Sequence, residues 1–344
     1  MYHTIVDIRK INNLNCGLGQ VAFHLHKNLK NSDNINFFIN KSDLLSLKPD
    51  QNKYINYSKL NKYRFKIPNC KVWHAIHQDV EILPKRNSNL VLTIHDFNFL
   101  HENGDKFVQD KYIKQLNKKI NQSSHVTFIS EFTKNQAFKY CNMKNTQYSI
   151  IYNGVCFQDK IEEEKPTNFS FDKNDFYFSI GTVVEKKNFH VLCDLALEFS
   201  KQNFALAGSV FNDYGYDIQK KIKSLNLKNL ILLGEVSENE KKWLFNNCKA
   251  LIHPSKLEGF GLPLIEAFHY GKIVLCSNVC SLPEIGKDFA IYFDPFNIES
   301  IKESISSFHL QEQNLNSVTE RKEYANSFSW ENASRKYTEI YNNF

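Results

Sequence analysis

The stretch "SKLEGFGLPLIEAF", residues 255–268, follows the apolar run "KALIHP" and places two glutamates eight positions apart around a glycine-rich loop. The apolar run has the length of a strand, and Pro263 suits the first turn of a helix, where its missing N–H costs nothing. Gly259 and Gly261 let the backbone approach a ligand closely. The stretch therefore predicts a strand, a ligand-contacting loop and a helix, which together make one half of a βαβ unit.

Strand-length apolar runs with helical patterns between them recur along the whole chain. Before residue 155 they are "HTIVDI", "INFFI", "KVWHA", "LVLTIH", "HVTFIS" and "YSIIY", and after residue 175 they are "FYFSIG", "FALAG", "LILLG", "KALIHP", "KIVLC" and "FAIYF". Runs that are apolar on both faces and alternate with helices are typical of parallel strands. Because 344 residues exceed what one hydrophobic core usually holds, the sequence predicts two doubly wound, Rossmann-like α/β domains.

The boundary between the two halves is indicated by a polar stretch, residues 156–175, which is broken by Pro166. We predict an N-terminal Rossmann-like domain over residues 1–160, a linker over 156–175 and a C-terminal Rossmann-like domain over 176–329. Residues 330–344 have the apolar spacing of an amphipathic helix, which we expect to pack back on the N-terminal domain.

The composition, with 42% hydrophobic and 23% charged residues, is that of a soluble globular protein. No run approaches the roughly 20 apolar residues that span a bilayer, and the charged start "MYHTIVDIRK" is unlike a secretory signal. The eight cysteines are scattered, which favours reduced, buried thiols over a disulfide framework or a zinc site. We therefore expect a cytoplasmic protein.

A basic and aromatic segment, "YSKLNKYRFK" at residues 57–66, stands out against the mild net charge of +6. A solvated loop is the plainest interpretation. The alternatives are contact with a phosphorylated acceptor or with an anionic membrane surface, which would place the protein peripherally at the cytoplasmic face of the inner membrane. No nucleic-acid-binding signature is visible, so we expect no nucleic acid partner.

Two strand-end loops of the second half carry the residues with the clearest chemistry. Lys186 and Lys187 follow the run "FYFSIG", and two ammonium groups beside a helix start favour a di-anion such as a pyrophosphate. On the helix that Pro263 begins, Glu266 is predicted in the first turn, opposite the apolar stripe. It is either a surface glutamate favoured by the helix dipole or an acceptor for both hydroxyls of a ribose. Glu258 on the loop suits the hydroxyls of a smaller group beside the phosphates.

Several of these segments resemble, in the same order, those of the retaining glycosyltransferases of family 4. They are the E-x7-E stretch "EGFGLPLIE", the segment "GTVVEKKN", the stretch "LILLGEVSENEKKWLFNNCKALIHPS" and the C-terminal "FSWENASRKY". The resemblance implies the GT-B fold, in which two Rossmann-like domains face each other across an inter-domain cleft. It also implies metal-independent and cofactor-independent transfer of a hexose from a nucleoside diphosphate sugar, with retention at the anomeric carbon.

The expected acceptor is a hydroxyl of a glycan or a lipid-linked sugar in cell-surface polysaccharide assembly. The segments "TIHDFNFL" and "GTVVEKKN" look most similar to those of mannosyltransferases, which favours GDP-mannose over a UDP-hexose as donor. Two other functions stay open at this point. One is a GT-B nucleotide-sugar epimerase, which would convert its donor without any acceptor, and the other is a non-catalytic sugar-nucleotide-binding partner of a glycan-assembly complex.

The resemblance further implies roles for individual residues. Catalysis is assigned to His95, Glu258 and Lys187, with His95 positioning the sugar rather than acting as an obligatory base. Donor binding is assigned to Gly17, Gly19, Lys186, Lys187, Glu258, Gly259, Phe260, Gly261, Leu262 and Glu266. Positioning of the acceptor or the transferred sugar is assigned to His74, His77, Asp96 and Ser130. Thr182 departs from the family, in which many members place an arginine on the pyrophosphate, and Lys186 is the expected substitute.

Overall fold

A computed structural model describes residues 2–11, 17–47, 53–63, 66–102, 104–157, 161–311 and 316–344. The chain divides into two compact units. The first unit comprises Met1–Cys156 together with Phe328–Phe344, and the second comprises Phe157–Ser327. The C-terminal helix thus belongs to the first unit, where it packs on the first long helix of the chain.

Within the described residues, strands and helices alternate along both units. The strands are β1 Tyr2–Asp7, β2 Ile35–Asn40, β3 Tyr54–Tyr57, β4 Cys70–Ala75, β5 Asn89–Ile94, β6 Ser123–Phe128, β7 Tyr148–Ile150, β8 Phe176–Ile180, β9 Asn203–Ala207, β10 Leu230–Gly234, β11 Ala250–His253, β12 Ile273–Ser277 and β13 Ala290–Phe293. The helices are α1 Gly17–Leu29, α2 Lys41–Leu47, α3 Phe99–Glu102, α4 Lys106–Ile120, α5 Glu131–Tyr140, α6 Val191–Glu198, α7 Asp213–Ser224, α8 Glu238–Asn247, α9 Leu262–His269, α10 Leu282–Gly286, α11 Ile298–Ser306, α12 Phe308–Gln311, α13 Val318–Asn326 and α14 Trp330–Asn342. Short 3₁₀ turns lie at Lys59–Lys62, Glu185–Lys187 and Lys287–Phe289.

The first unit is built on a parallel sheet with the strand order β3-β2-β1-β4-β5-β6-β7. Successive residues of a strand point to opposite faces, so Val6 packs with α1 and α14 while Ile5 packs with α4 and α5. Both faces of the sheet are therefore buried under helices, which explains why its strands are apolar throughout.

The second unit repeats this architecture with a parallel sheet of order β10-β9-β8-β11-β12-β13. The strand order reverses between β8 and β11, and a ligand of a doubly wound sheet binds at this switch point, outside the carboxyl ends of the strands. The prediction of two Rossmann-like α/β domains is confirmed.

The structure differs from the sequence-based expectation in two places. Strand β3, "YINY", was not predicted, because it is a short edge strand whose apolar Ile55 is flanked by polar neighbours. The predicted linker is largely part of the second unit: Phe169 and Phe171 are buried, and Phe169 packs edge-on against Trp243. Single aromatic residues anchor this segment, so it lacks the periodicity that a helix or strand would have shown.

The prediction that the cysteines are buried holds for some of them. Four of the described cysteines are buried, as expected, whereas Cys141 and Cys280 are half-buried and Cys156 is exposed; Cys16 lies outside the described residues. In the segment 57–66, residues 64 and 65 also lie outside them, as does the side chain of Lys62. Across the described part of the chain, no helix is both long and apolar enough to cross a membrane.

Candidate functional site

The loops that follow β8 and β11 meet because these two strands are neighbours at the switch point of the second sheet. The first loop makes a 3₁₀ turn at Glu185–Lys187, and the second runs from Pro254 to Gly261. Their backbones are tied directly, since the N–H of Lys256 donates to the carbonyl of Lys186 at 2.8 Å. Residues about 70 positions apart in sequence are thereby brought into one cluster.

Glu258 is the centre of that cluster. Its Oε1 atom accepts hydrogen bonds from His253 Nε2 at 2.7 Å and Ser255 Oγ at 3.0 Å, and it forms an ion pair with Lys187 Nζ. The side chains of Lys187 and Glu258 are only 15% and 12% exposed. Two of the predicted catalytic residues therefore contact each other, whereas the sequence prediction gave each a separate part of the ligand.

The electrostatics of the cluster keep Glu258 ionised. Burial by itself would raise the pKa of Glu258, but the ammonium group of Lys187 and the hydrogen bonds from His253 and Lys187 lower it well below its ordinary value. Burial lowers the pKa of His253, only partly opposed by Glu258, so the imidazole stays neutral near pH 7. Since Nε2–H donates to the carboxylate, His253 Nδ1 carries the lone pair, and this buried atom has no hydrogen-bond partner among the described residues.

The glycine loop owes its shape to two features. Gly261 has a φ of +113°, which disfavours any residue with a side chain, and an added Cβ would lie 3.0 Å from Leu282. The hydroxyl of Ser281 lies 2.9 Å from the carbonyl of Phe260 and 3.2 Å from that of Glu258. Phe260 is buried, so it anchors the loop rather than presenting its ring to a ligand, and Gly259 and Leu262 are half-buried on either side.

Glu266 is not in the first turn of α9. The helix begins at Leu262 after Gly261, with Pro263 second, so Glu266 is its fifth residue. Its Oε1 accepts a hydrogen bond from Lys241 Nζ of α8 at 3.1 Å, and Lys241 also pairs with Glu238. Burial alone would lower the pKa of Lys241, but the two carboxylates raise it above its ordinary value. Glu266 is thus a paired carboxylate, 20% exposed, and not a surface residue placed by the helix dipole.

In the first unit, His95 and Asp96 follow β5. His95 is buried and its Nε2–H donates to the carbonyl of Ile76 at 2.7 Å, which leaves Nδ1 as the ring atom able to accept a proton. Burial lowers the pKa of His95, although the bond to Ile76 and the charge of Asp96 oppose the shift. The side chain of Gln78 bridges the two residues by accepting from the His95 N–H and donating to the Asp96 carbonyl.

Two of the predicted sugar-positioning residues, His74 and Ser130, are buried and hydrogen-bonded within the first unit. His74 is completely buried, with one ring nitrogen 2.7 Å from the hydroxyl of Tyr341 and the other 2.8 Å from Thr93 Oγ1. Ser130 caps α5, where its hydroxyl accepts from the N–H of Thr133. Both were assigned from the family resemblance and stay predictions; the structure shows that the partners of His74 are Tyr341 of α14 and Thr93 of β5.

The remaining predicted residues of the first unit have mixed surroundings. His77 Nδ1 accepts the N–H of Asp79 at 3.0 Å, and burial, followed by the charge of His95, lowers the pKa of His77 to about 3. Gly17 and Gly19 lie inside the first turn of α1, not in a turn before it. Gly17 is exposed, and an added Cβ would meet nothing within 4 Å.

Sequence reasoning missed the partners of the two glutamates. His253 and Ser255 lie in the quoted run "ALIHPS", and a histidine that ends an otherwise apolar strand was an available signal. Lys241 had no local signal, because it reaches Glu266 across 25 residues. Arg9 was also missed: it follows β1 and pairs with the buried Asp7 through two hydrogen bonds of 2.9 and 2.7 Å.

Comparison with known proteins finds similarity to glycosyltransferases, which includes a family match within the second unit. Residues 160–326 match the family described as "Glycosyl transferases group 1". The chain is 28% identical to the O-antigen chain mannosyltransferase RfbU of Salmonella typhimurium over 71% of its own length and 69% of that protein. It is 23% identical to the O-antigen chain mannosyltransferase B of Escherichia coli, over 82% of its own length and 79% of that protein.

Solved structures support the fold. The Anabaena protein Alr3699/HepE, solved with UDP and glucose, superposes with a TM-score of 0.76 over the full length of both chains, at 14% sequence identity. At this identity the likeness concerns the fold alone. The chain therefore has two Rossmann-like units like those of GT-B glycosyltransferases, and its residues 160–326 match the glycosyltransferase group 1 family.

Proposed function

We propose that the protein is a retaining glycosyltransferase of family 4 that transfers mannose from GDP-mannose to a hydroxyl of a glycan or lipid-linked sugar in cell-surface polysaccharide assembly. The observation that carries the proposal is the cluster of Lys187, Glu258 and His253 at the switch point of the second sheet. The two mannosyltransferase relatives, from Salmonella typhimurium and Escherichia coli, support mannose as the sugar. The UDP and glucose bound to the Anabaena protein support a nucleoside diphosphate sugar as donor class.

The chemistry follows from the charges of the cluster. A nucleoside diphosphate leaves with negative charge, which preorganised cations stabilise most when they are shielded from water. Lys187 supplies such a cation, and Lys186 precedes it on the same 3₁₀ turn. Glu258, kept ionised by its three donors, offers Oε2 to two hydroxyls of the sugar while Oε1 stays engaged. No metal takes part in this scheme.

Glu266 is proposed to accept the hydroxyls of the ribose. Lys241 holds one carboxylate oxygen at 3.1 Å, so the group is oriented before a ligand arrives. His95 keeps its proposed role of positioning the sugar. Its lowered pKa leaves Nδ1 unprotonated at neutral pH, which suits an acceptor of a sugar hydroxyl.

Binding and product analysis test the proposal separately. Calorimetric titration with GDP and UDP identifies the base, and E266Q should weaken binding of the preferred nucleotide about tenfold, which corresponds to about 1.4 kcal/mol. The matched control is E303Q, which changes an exposed glutamate of α11. Failure of wild-type protein to bind either nucleotide would overturn the proposal.

Products then distinguish the mechanism. Incubation with GDP-mannose and a mannosylated acceptor, with and without EDTA, should give a product whose anomeric proton signal reports retention. An inverted linkage would contradict the retaining mechanism, and loss of activity with EDTA would contradict the metal-independent one. Conversion of the donor sugar without any acceptor would indicate an epimerase instead.

A further inference from the structure

The loops that follow β9 and β10 meet at the carboxyl edge of the second sheet. Strand β9 ends at Ala207 and β10 at Gly234, and the N–H of Gly208 donates to the carbonyl of Gly234 at 2.7 Å. This bond holds the two loops together at the next residue of each, where the hydroxyl of Ser209 donates to Oε1 of Glu235. Neither Ser209 nor Glu235 has a role in the mechanism proposed above.

Glu235 has hydrogen-bonding capacity that the protein does not use. In the part of the chain that the structure describes, this exposed residue forms no ion pair, and its Oε2 accepts no hydrogen bond. Glu238, the next acidic residue along the chain, is instead paired with Lys241. An ionised carboxylate has about four acceptor positions, and Ser209 occupies one of them. Glu235 can therefore accept two N–H groups of a ligand from an orientation that Ser209 already restrains.

The position of the ribose directs the base of the donor toward these loops. Glu266, the proposed ribose acceptor, is held by Lys241, which is the fourth residue of α8. Helix α8 begins four residues after β10 ends, so the ribose lies beside the loop between them. The base is attached to the ribose at the end away from the phosphates, which Lys187 holds after β8. An added Cβ at Gly234 would meet nothing within 4 Å, so a planar ring has room beside this loop.

The chemistry of a carboxylate distinguishes the two candidate bases. Guanine presents two adjacent donors, N1–H and the 2-amino group, which match the two oxygens of a carboxylate. Uracil presents a single N–H between two carbonyl oxygens, and both of these oxygens repel a carboxylate. We infer that Glu235, oriented by Ser209, accepts both N–H groups of guanine and so selects a GDP-sugar over a UDP-sugar. The inference rests on the proposed function, because it assumes a nucleoside diphosphate sugar at this edge of the sheet.

Calorimetric titration of the full chain with GDP, IDP and UDP tests the inference. IDP is GDP without the 2-amino group, so it loses one of the two proposed hydrogen bonds. Wild type should bind GDP at least about tenfold more tightly than either IDP or UDP. The variant E235A lacks the acceptor and should bind GDP and IDP with equal affinity. A purely structural role of Glu235 would instead weaken the binding of all three nucleotides by the same factor and leave their ratios unchanged.

Two further variants complete the test. S209A keeps the carboxylate but removes the donor that orients it, so GDP binding should weaken by a smaller factor than in E235A while UDP binding stays the same. The control E303Q changes an exposed glutamate of α11 and should keep every ratio of the wild type. The melting temperatures of E235A and E303Q should match that of the wild type, since both changed side chains are exposed.

The outcomes separate the inference from the proposed function. A preference for GDP over IDP that persists in E235A would overturn the inference and leave the proposed function intact. A preference that is lost in E238Q but kept in E235A would overturn it as well, by assigning the base to the carboxylate that Lys241 pairs. A wild type that prefers UDP would overturn both the inference and GDP-mannose as donor. A wild type that binds none of the three nucleotides would overturn the proposed function itself, and the inference with it.

Discussion

The ionised form of Glu258 is stabilised by its neighbours, and the ammonium group of Lys187 is in turn neutralised by Glu258. Removing one member of a largely buried ion pair leaves the other charged and unpaired, at a cost of about 3 kcal/mol. We therefore expect E258Q to lower the free energy of unfolding by about that amount, as measured by urea denaturation at pH 7. The exposed E303Q should leave the unfolding free energy unchanged within about 0.5 kcal/mol.

The pH dependence of this difference has a definite sign. Because the pKa of folded Glu258 lies below that of an unfolded glutamate, at about 4.3, the ion pair stabilises the fold fully above that pH. The contribution is lost as the pH falls toward the lower folded pKa. The difference between wild type and E258Q should be constant from pH 8 to about 5 and shrink below about 4. A difference that grows on acidification would contradict the assignment.

His253 acts on Glu258 through a single hydrogen bond, and its loss should be visible on the carboxylate. H253F keeps an aromatic ring of similar size but removes the Nε2–H donor, which is one of the causes of the lowered pKa of Glu258. We expect the variant to raise that pKa and to cost about 2 kcal/mol, as for a hydrogen bond to a charged group. Carbon-13 NMR titration of the Glu258 carboxylate measures the first effect, and an unchanged pKa would show that the bond from His253 is not among the causes of the shift.

At the scale of elements, a substitution at the start of α1 tests whether Gly17 is needed for the fold or for contact with the ligand. An alanine Cβ at position 17 would meet nothing within 4 Å, so G17A should keep the unfolding free energy or raise it by up to about 1 kcal/mol. If the donor phosphates approach this backbone, as the family resemblance implies, donor affinity should fall about tenfold. G104A is the matched control, because Gly104 is also exposed with open space around it. Equal donor affinity in both variants would remove Gly17 from the site.

The strands and helices also show which parts of the fold could be predicted from the sequence. The six strands that the structure describes in the second unit were all predicted, because buried parallel strands are continuous apolar runs bounded by glycine and polar residues. The helix α9 begins at Leu262, one residue before the predicted start, so Glu266 falls just beyond the first turn; helix starts depend on cap geometry, here the positive φ of Gly261. The bond from Lys241 to Glu266 joins two helices, and no local pattern encodes the distance between helices.

The local features of the site could be predicted from the sequence, but the contacts between residues distant in sequence could not. Glu258, Lys187 and the glycine loop are local features of strand-end loops, and chain order alone placed them at the ligand edge of a doubly wound sheet. That Lys187 faces Glu258 follows only from the adjacency of β8 and β11, which the strand order reveals. The hydrogen bond of His74 could not be predicted, because its partner Tyr341 lies 267 residues further along the chain.

On the scale of the whole molecule, the chain returns to its first unit after completing the second, and the first unit depends on that return. Helix α14 buries Trp330, Tyr337, Ile340 and Tyr341 against α1 and the first sheet. Each large apolar side chain contributes about 1.5–3 kcal/mol when buried, so the four together contribute an amount comparable to the 5–15 kcal/mol that stabilises an ordinary domain.

Ending the chain after Ser327 should therefore unfold the first unit and leave the second folded, since every strand and helix of the second lies within Phe157–Ser327. Hydrogen–deuterium exchange followed by mass spectrometry resolves both units in one experiment. Amides of β1 and β4 should lose protection, while those of β8 and β11 keep it. Y341F in the intact chain is the graded comparison: it removes only the bond to His74 and should cost about 1–3 kcal/mol. Full protection of β1 in the truncated chain would show that α14 covers a core that is stable without it.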